Sequence, residues 1–164
     1  MKTLVYIVIG IVLLLLEVVI SPRISLDVLK PELGMPIVLY VTFFLGARSG
    51  LIAAVCIGLV EESLSGAPSG SLLFVSVFIY LMAVAMRRKF FIDSKYSFAY
   101  LSSGSVIVQS FLFLALSFFA RGEARGALNI LFYAVPNAIV TGFVSILLFS
   151  FIEQLNNAFL EGNR

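Results

Sequence analysis

The sequence predicts an all-α fold: a polytopic integral membrane bundle of about six transmembrane helices, both termini in the cytoplasm. Three observations predict it. Of 164 residues, 61% are hydrophobic and only 12% are charged, where a soluble domain is about 45–50% apolar and about 25% charged. The apolar residues fall in long runs parted by short polar segments, each run near the length of about 20 residues that crosses a bilayer. Lysine and arginine concentrate in alternate segments, as orientation in a membrane requires. With mean hydropathy at +1.11, the charged residues are too few to cover a water-facing surface. Six spans take about 120 residues, which leaves no room for a large soluble domain, so residues 1–164 read as a single transmembrane domain.

The first span is expected at about 4–20. Lys2 before an apolar run resembles a signal peptide. The run is long for a signal core, and Ser21-Pro22-Arg23 is not a small-x-small cleavage site, so the span reads as retained. A polar segment to Gly34 precedes a short second span at about 35–46. Ala47-Arg48-Ser49-Gly50 reads as a tight turn, and the third span, about 51–64, meets Glu61-Glu62 near its end. Ser63 to Gly70 is rich in turn residues. The fourth span, about 71–86, stops at Arg87-Arg88-Lys89. The fifth, about 98–120, opens beside Tyr96 and Tyr100, which suit a membrane interface in a chain without tryptophan. The sixth, about 128–152, contains Pro136, expected to free a backbone carbonyl and kink the helix. Helices are expected because an open sheet leaves backbone groups unsatisfied in lipid and a barrel would show alternating segments of about ten residues.

Orientation follows from the basic residues. Lys2, Arg48, Arg87, Arg88, Lys89, Lys95 and Arg164 fall on one side, and Arg23, Lys30, Arg121 and Arg125 on the other. Seven against four places both termini inside.

Several chemistries are excluded. There is no histidine, which removes serine–histidine and cysteine–histidine dyads and most zinc sites. The single cysteine, Cys56, cannot form an internal disulfide and reads as a small buried hydrophobe. No Walker-type nucleotide motif occurs, and a net charge of +2 is too small to point to nucleic acid. Gly66-Ala67-Pro68-Ser69-Gly70 superficially resembles the serine motif of rhomboid proteases, but that chemistry needs the missing base. Asp27 and Asp93 lie on opposite sides, which excludes an intramembrane aspartyl pair. The chain reads as non-enzymatic, with no cofactor and no metal.

The polar residues inside the spans need partners, because a charge at depth costs about 2.5–3.5 kcal/mol. Glu17 is expected to reach the outer interface. Glu61 and Glu62 are adjacent, hence about 100° apart on a helix: one is expected to face the bundle and the other the water interface, where it brackets the glycine–proline–serine turn. A proton or substrate site is the competing reading. In the fifth span, Ser97, Ser102, Ser103, Gly104, Ser105, Gln109 and Ser110 suit close helix packing. In the sixth, Asn129, Pro136, Asn137, Thr141, Gly142 and Ser145 offer a pocket wall or a packing kink.

Two motifs carry a resemblance over about residues 30–86. Lys30-Pro31-Glu32-Leu33 opens the second span, and Gly58-Leu59-Val60-Glu61-Glu62-Ser63-Leu64-Ser65-Gly66-Ala67-Pro68-Ser69-Gly70 closes the third. This order is similar to the rod shape-determining protein MreD family, which shows an Arg-Pro-Asp-Leu-like start and Gly-Leu-x-x-Asp-x-x-Ser-Gly-x-x-x-Gly. Glutamate replaces the family's aspartate at Glu32 and Glu62, keeping the charge on a longer arm. Pro31, Glu32, Gly58, Glu61, Glu62, Gly66, Pro68 and Gly70 are therefore the candidate partner or structural motif residues. The resemblance implies a non-catalytic, multi-pass component of the bacterial inner membrane that serves cell elongation and peptidoglycan synthesis. The partners it implies are a bitopic MreC-like protein and, through it, MreB, RodA and a class B penicillin-binding transpeptidase. Membrane lipid surrounds the rest. The alternative is a substrate-binding subunit of an energy-coupling-factor vitamin transporter, with a pocket built from Glu62, Pro136 and Asn137. That family's alanine-x-x-x-alanine contact is missing, since residues 4–20 contain no alanine.

Overall fold

The computed structural model describes residues 2–20, 32–65, 69–87, 94–121 and 127–156. Among them are six helices and no strand: α1 (Lys2–Ile20), α2 (Gly34–Tyr40), α3 (Ala47–Ser65), α4 (Ser71–Arg87), α5 (Lys95–Arg121) and α6 (Ala127–Leu155). A π-helical segment, Val41–Leu45, continues α2. Lys95–Leu116 and Phe132–Leu155 are long and apolar enough to cross a membrane, and only 28% and 33% of them is buried, unlike the core helices of a soluble protein. Thr3–Val19, Gly34–Leu45 and Ser71–Arg87 are shorter apolar helices.

Polarity is arranged opposite to that of a soluble domain. Phe132, Val135, Ile139, Phe143, Leu147 and Phe151 recur at three- and four-residue steps along α6, and all are exposed. Thr42, Ser76, Ser102, Thr141 and Ser145 are fully buried. Hydroxyls inside and large hydrophobics outside suit a lipid solvent, where contact between helices depends on close packing and hydrogen bonds.

The core lies where α2 sits inside the other helices: every residue from Gly34 to Tyr40 is buried. Two ends can be told apart. At one, Tyr40 contacts Tyr6 of α1, Phe98 of α5 and Phe149 of α6, with ring centroids 5.6, 6.1 and 5.9 Å away, and stacks on Phe44 at 4.6 Å. Thr3 donates to Ser49 at 3.0 Å at the same end. At the other end α1 stops and α2 and α4 begin. Helices therefore run alternately up and down, as the spacing of apolar runs predicts.

The turn between the second and third spans is tighter than expected. Only Gly46 is non-helical, with φ at +112°, and Ala47–Gly50 already belongs to α3. Glycine alone supplies that backbone without strain. It lets α3 fold straight back onto α2, where Gly50 meets Thr42 so closely that a Cβ would lie 2.9 Å from the Thr42 Cα. Thr42 is held by its own bond, Oγ1 donating to the Val38 carbonyl at 2.7 Å. The α3–α4 contact is equally close: a Cβ on Gly58 would lie 3.0 Å from Ser76 Cβ and 3.1 Å from Leu73 Cα, and Ser76 Oγ donates to the Ala54 carbonyl at 2.9 Å. Cys56 is partly exposed rather than buried, because the α3 positions facing inward are Gly50, Ala53, Ala54, Ile57 and Gly58. α6 runs as one helix through Pro136.

Gly50 and Gly104 are predicted to differ sharply. Gly50→Val forces backbone movement and should cost about 1–3 kcal/mol, as overpacking does. At Gly104 a Cβ meets nothing within 4 Å, so Gly104→Ala should be neutral or gain up to about 1 kcal/mol of helix propensity. Thermal unfolding of the two variants in mild detergent checks this.

Candidate functional site

The described candidate residues, Glu32, Gly58, Glu61, Glu62 and Gly70, lie toward the end of the bundle opposite the aromatic cluster. At the α3–α4 corner, Glu62 reaches across to the start of the next helix. Its Oε1 accepts from the Gly70 amide, and its Oε2 accepts from the Leu73 amide at 3.3 Å. The first helical bond of α4 runs from the Phe74 amide to the Gly70 carbonyl at 3.0 Å. Gly70 thus stands at the cap position, with φ at +86°. A carboxylate there satisfies amides that no helical carbonyl can reach and faces the positive end of the helix dipole. Such caps contribute about 1 kcal/mol. The longer glutamate arm suits this reach, because the cap comes from a neighbouring helix rather than from the segment before α4. Gly58, one turn below, lets α3 and α4 approach closely enough for it.

A second carboxylate does comparable work at the start of α2. The Leu33 amide donates to Glu17 Oε2 at 3.1 Å, and the Glu32 amide donates to Thr141 Oγ1 of α6 at 3.1 Å. Leu33, the residue before α2, gives no side-chain cap of its own. Glu17 is only 7% exposed, which corrects the expectation that it reaches the outer interface. Position explains the burial: a Cβ on Gly34 would lie 3.2 Å from Leu14 and 3.0 Å from Ile57, and Glu17 lies one turn beyond Leu14. Glu61 lies one turn beyond Ile57, so both acids rise along the walls that enclose the start of α2. Glu32 and Glu61 each bury one carboxylate oxygen, Oε2. The adjacent pair therefore divides as its 100° separation predicts, Glu61 turning inward and Glu62 toward the α4 turn.

The structure brings Gly58, Glu62 and Gly70 together at one corner and places Glu32 at another, beside α6. Pro31, Gly66 and Pro68 lie outside the described residues. Among the described residues, no three acidic or cysteine side chains form a group that could hold a metal ion. Both Glu62 oxygens are engaged by amides of the α4 start, which leaves the pocket expected under the transporter reading without its carboxylate. On α5, Ser102 is fully buried and Gln109 is 6% exposed. Ser103 lies against Gly142 of α6, so closely that a Cβ there would collide with its hydroxyl. Ser102, Ser103 and Gln109 thus serve helix packing, as the composition predicts, while Ser97 and Gly104 of the same stretch are exposed. Sequence reasoning missed the ring cluster around Tyr40, whose members lie far apart in the chain.

Charge is unevenly spread along the bundle. Glu17, Glu32, Glu61 and Glu62 lie toward one end, where α5 finishes at Arg121, while Arg48, Arg87 and Lys95 stand at the start of α3, the end of α4 and the start of α5, all at the other, together with Glu153 near the end of α6. A Cβ on Gly46 would lie 3.6 Å from Arg87 Nη1, which fixes that guanidinium over the α2–α3 turn.

These features define a helical membrane protein with an inward-facing polar framework and an apolar exterior. Its sequence matches the profile of the family described as rod shape-determining protein MreD over residues 1–159. The chain belongs to that family, and it is a rod-shape-determining membrane protein. Comparison with curated proteins and with solved structures returns no match.

The two caps are predicted to respond differently. Glu62→Gln keeps an acceptor in a partly exposed place and should preserve protein level and cell shape. Loss of shape at normal protein level would overturn the capping role. Glu17→Ala strands the Leu33 amide at a buried site and should cost about 1–3 kcal/mol, seen as lower thermal stability in detergent.

Proposed function

We propose that this protein is a non-catalytic, multi-pass component of the bacterial inner membrane that supports cell elongation by binding an MreC-like bitopic protein. Through that partner it serves MreB, RodA and a class B penicillin-binding transpeptidase in peptidoglycan synthesis. The family match over residues 1–159 carries this reading. The site geometry supports it: the acidic side chains of the motif either cap helices or turn into the bundle. Residues Pro31, Glu32, Gly58, Glu61, Glu62, Gly66, Pro68 and Gly70 then shape the corners that a partner meets.

In this reading all six helices cross the membrane as one domain and both termini are cytoplasmic. Support comes from the uneven spread of basic residues, since Arg48, Arg87 and Lys95 share the end where the chain starts and α6 finishes. Gly34–Leu45 is short for a span, about 18 Å at 1.5 Å per residue, and it gains its place from enclosure by its neighbours.

Two measurements test the proposal. A cytoplasm-active reporter at the C-terminus should be active and an export-dependent one silent; the reverse pattern would overturn the orientation. Depletion should round the cells, and capture from mild detergent should retain the bitopic elongation protein. Unchanged shape together with no elongation protein captured would reject the assignment.

A further inference from the structure

The lipid-facing side of the bundle is interrupted by a groove of about 580 Å³ between α4 and α5. Leu39 of α2 is part of its lining, and Ile79, Met86, Ser97, Gly104 and Val108 mark its extent along the two flanking helices. Gly104 gives it width, because a Cβ there would project into open space. Tyr100, 81% exposed, and Met82 stand at its rim.

Three features identify what fits. The lining is almost entirely apolar: Ser97 and Tyr100 offer hydroxyls at one end, and the Ser105 hydroxyl further along donates to the Ser102 carbonyl of its own helix. That same end adjoins an exposed cation: Lys95 stands two residues before Ser97 at the start of α5, 5.6 Å from the Tyr96 ring. Finally, the groove runs from Ser97 to Val108, about 16 Å along α5. That is about half of the 30 Å hydrocarbon core, the depth of one leaflet. A transmembrane helix of a partner would need a seat along the full thickness. An acyl chain anchored at the basic end needs only this much.

We propose that the α4–α5 groove is a binding site for an anionic phospholipid. One acyl chain lies over Leu39 and Gly104, and the headgroup phosphate is held by Lys95, with Ser97 and Tyr100 beside its ester region. Apolar burial holds the chain and the cation selects the charge.

The chain has no tryptophan, so a single reporter can be placed at the rim by Met82→Trp. The variant is reconstituted in phosphatidylcholine vesicles containing either brominated phosphatidylglycerol or brominated phosphatidylcholine, and fluorescence quenching gives the relative affinity. The anionic lipid should be preferred about fivefold, the effect of one basic side chain near a lipid surface. Adding K95Q should abolish the preference. Adding G104L, which fills the groove and favours the helix, should abolish it while the cation remains. Equal quenching by the two lipids overturns the proposal. A preference that survives G104L also overturns it, because it would then belong to the general lipid shell around the basic end.

Discussion

The structure depends on one constraint: inside a bilayer, no backbone amide can turn to water for a partner. Most helices meet this through their own carbonyls, but each helix start leaves amides over. α2 is the acute case, because it is short and begins enclosed by other helices. The amides of Leu33 and Glu32, which lead into it, are met by Glu17 from α1 and Thr141 from α6. The start of α4 is met by Glu62 from α3. In each instance the partner comes from a different helix, so satisfying the amides also fixes how those helices sit. Capping and tertiary packing are the same interaction here.

This accounts for charged residues in runs that are otherwise apolar. A carboxylate at depth is costly alone, yet the amides at a helix start are fitted donors to it, with favourable dipole polarity. The small residues serve the same end. Gly50, Gly58 and Gly142 remove the side chains that would hold helices apart, and the Ser76 hydroxyl uses the shortened distance for a bond to the Ala54 carbonyl of α3. Close approach and polar bonding are thus linked at successive levels of the bundle.

Much of this was legible in the sequence. Run length and charge distribution located the helices, and the 100° step between Glu61 and Glu62 foretold that they would part company. The serines of α5 announced a helix contact by composition alone. Other features were not legible, for definite reasons. The role of Glu17 depends on Leu33, sixteen residues away, and no local pattern signals which amide a carboxylate will meet. The ring cluster joins Tyr6, Tyr40, Phe98 and Phe149, a matter of folding and not of spacing. The Gly46 turn was placed a few residues late because Arg48 and Ser49 look like turn residues, whereas they open α3.

The helices are unequal in height. α5 and α6 contain 27 and 29 residues, and α4 contains 17; at 1.5 Å per residue these are about 40, 43 and 25 Å. A bilayer about 30 Å thick in its apolar part therefore meets a tall flank on one side of the protein and a low flank on the other. Mismatch of this kind costs a fraction of a kcal/mol per Å and is relieved by tilting or by local thinning of the lipid. The molecule is consequently asymmetric toward its solvent in the membrane plane: it has a thick side and a thin side. Neighbouring molecules in the bilayer meet it with a preferred direction, even before any surface contact is made.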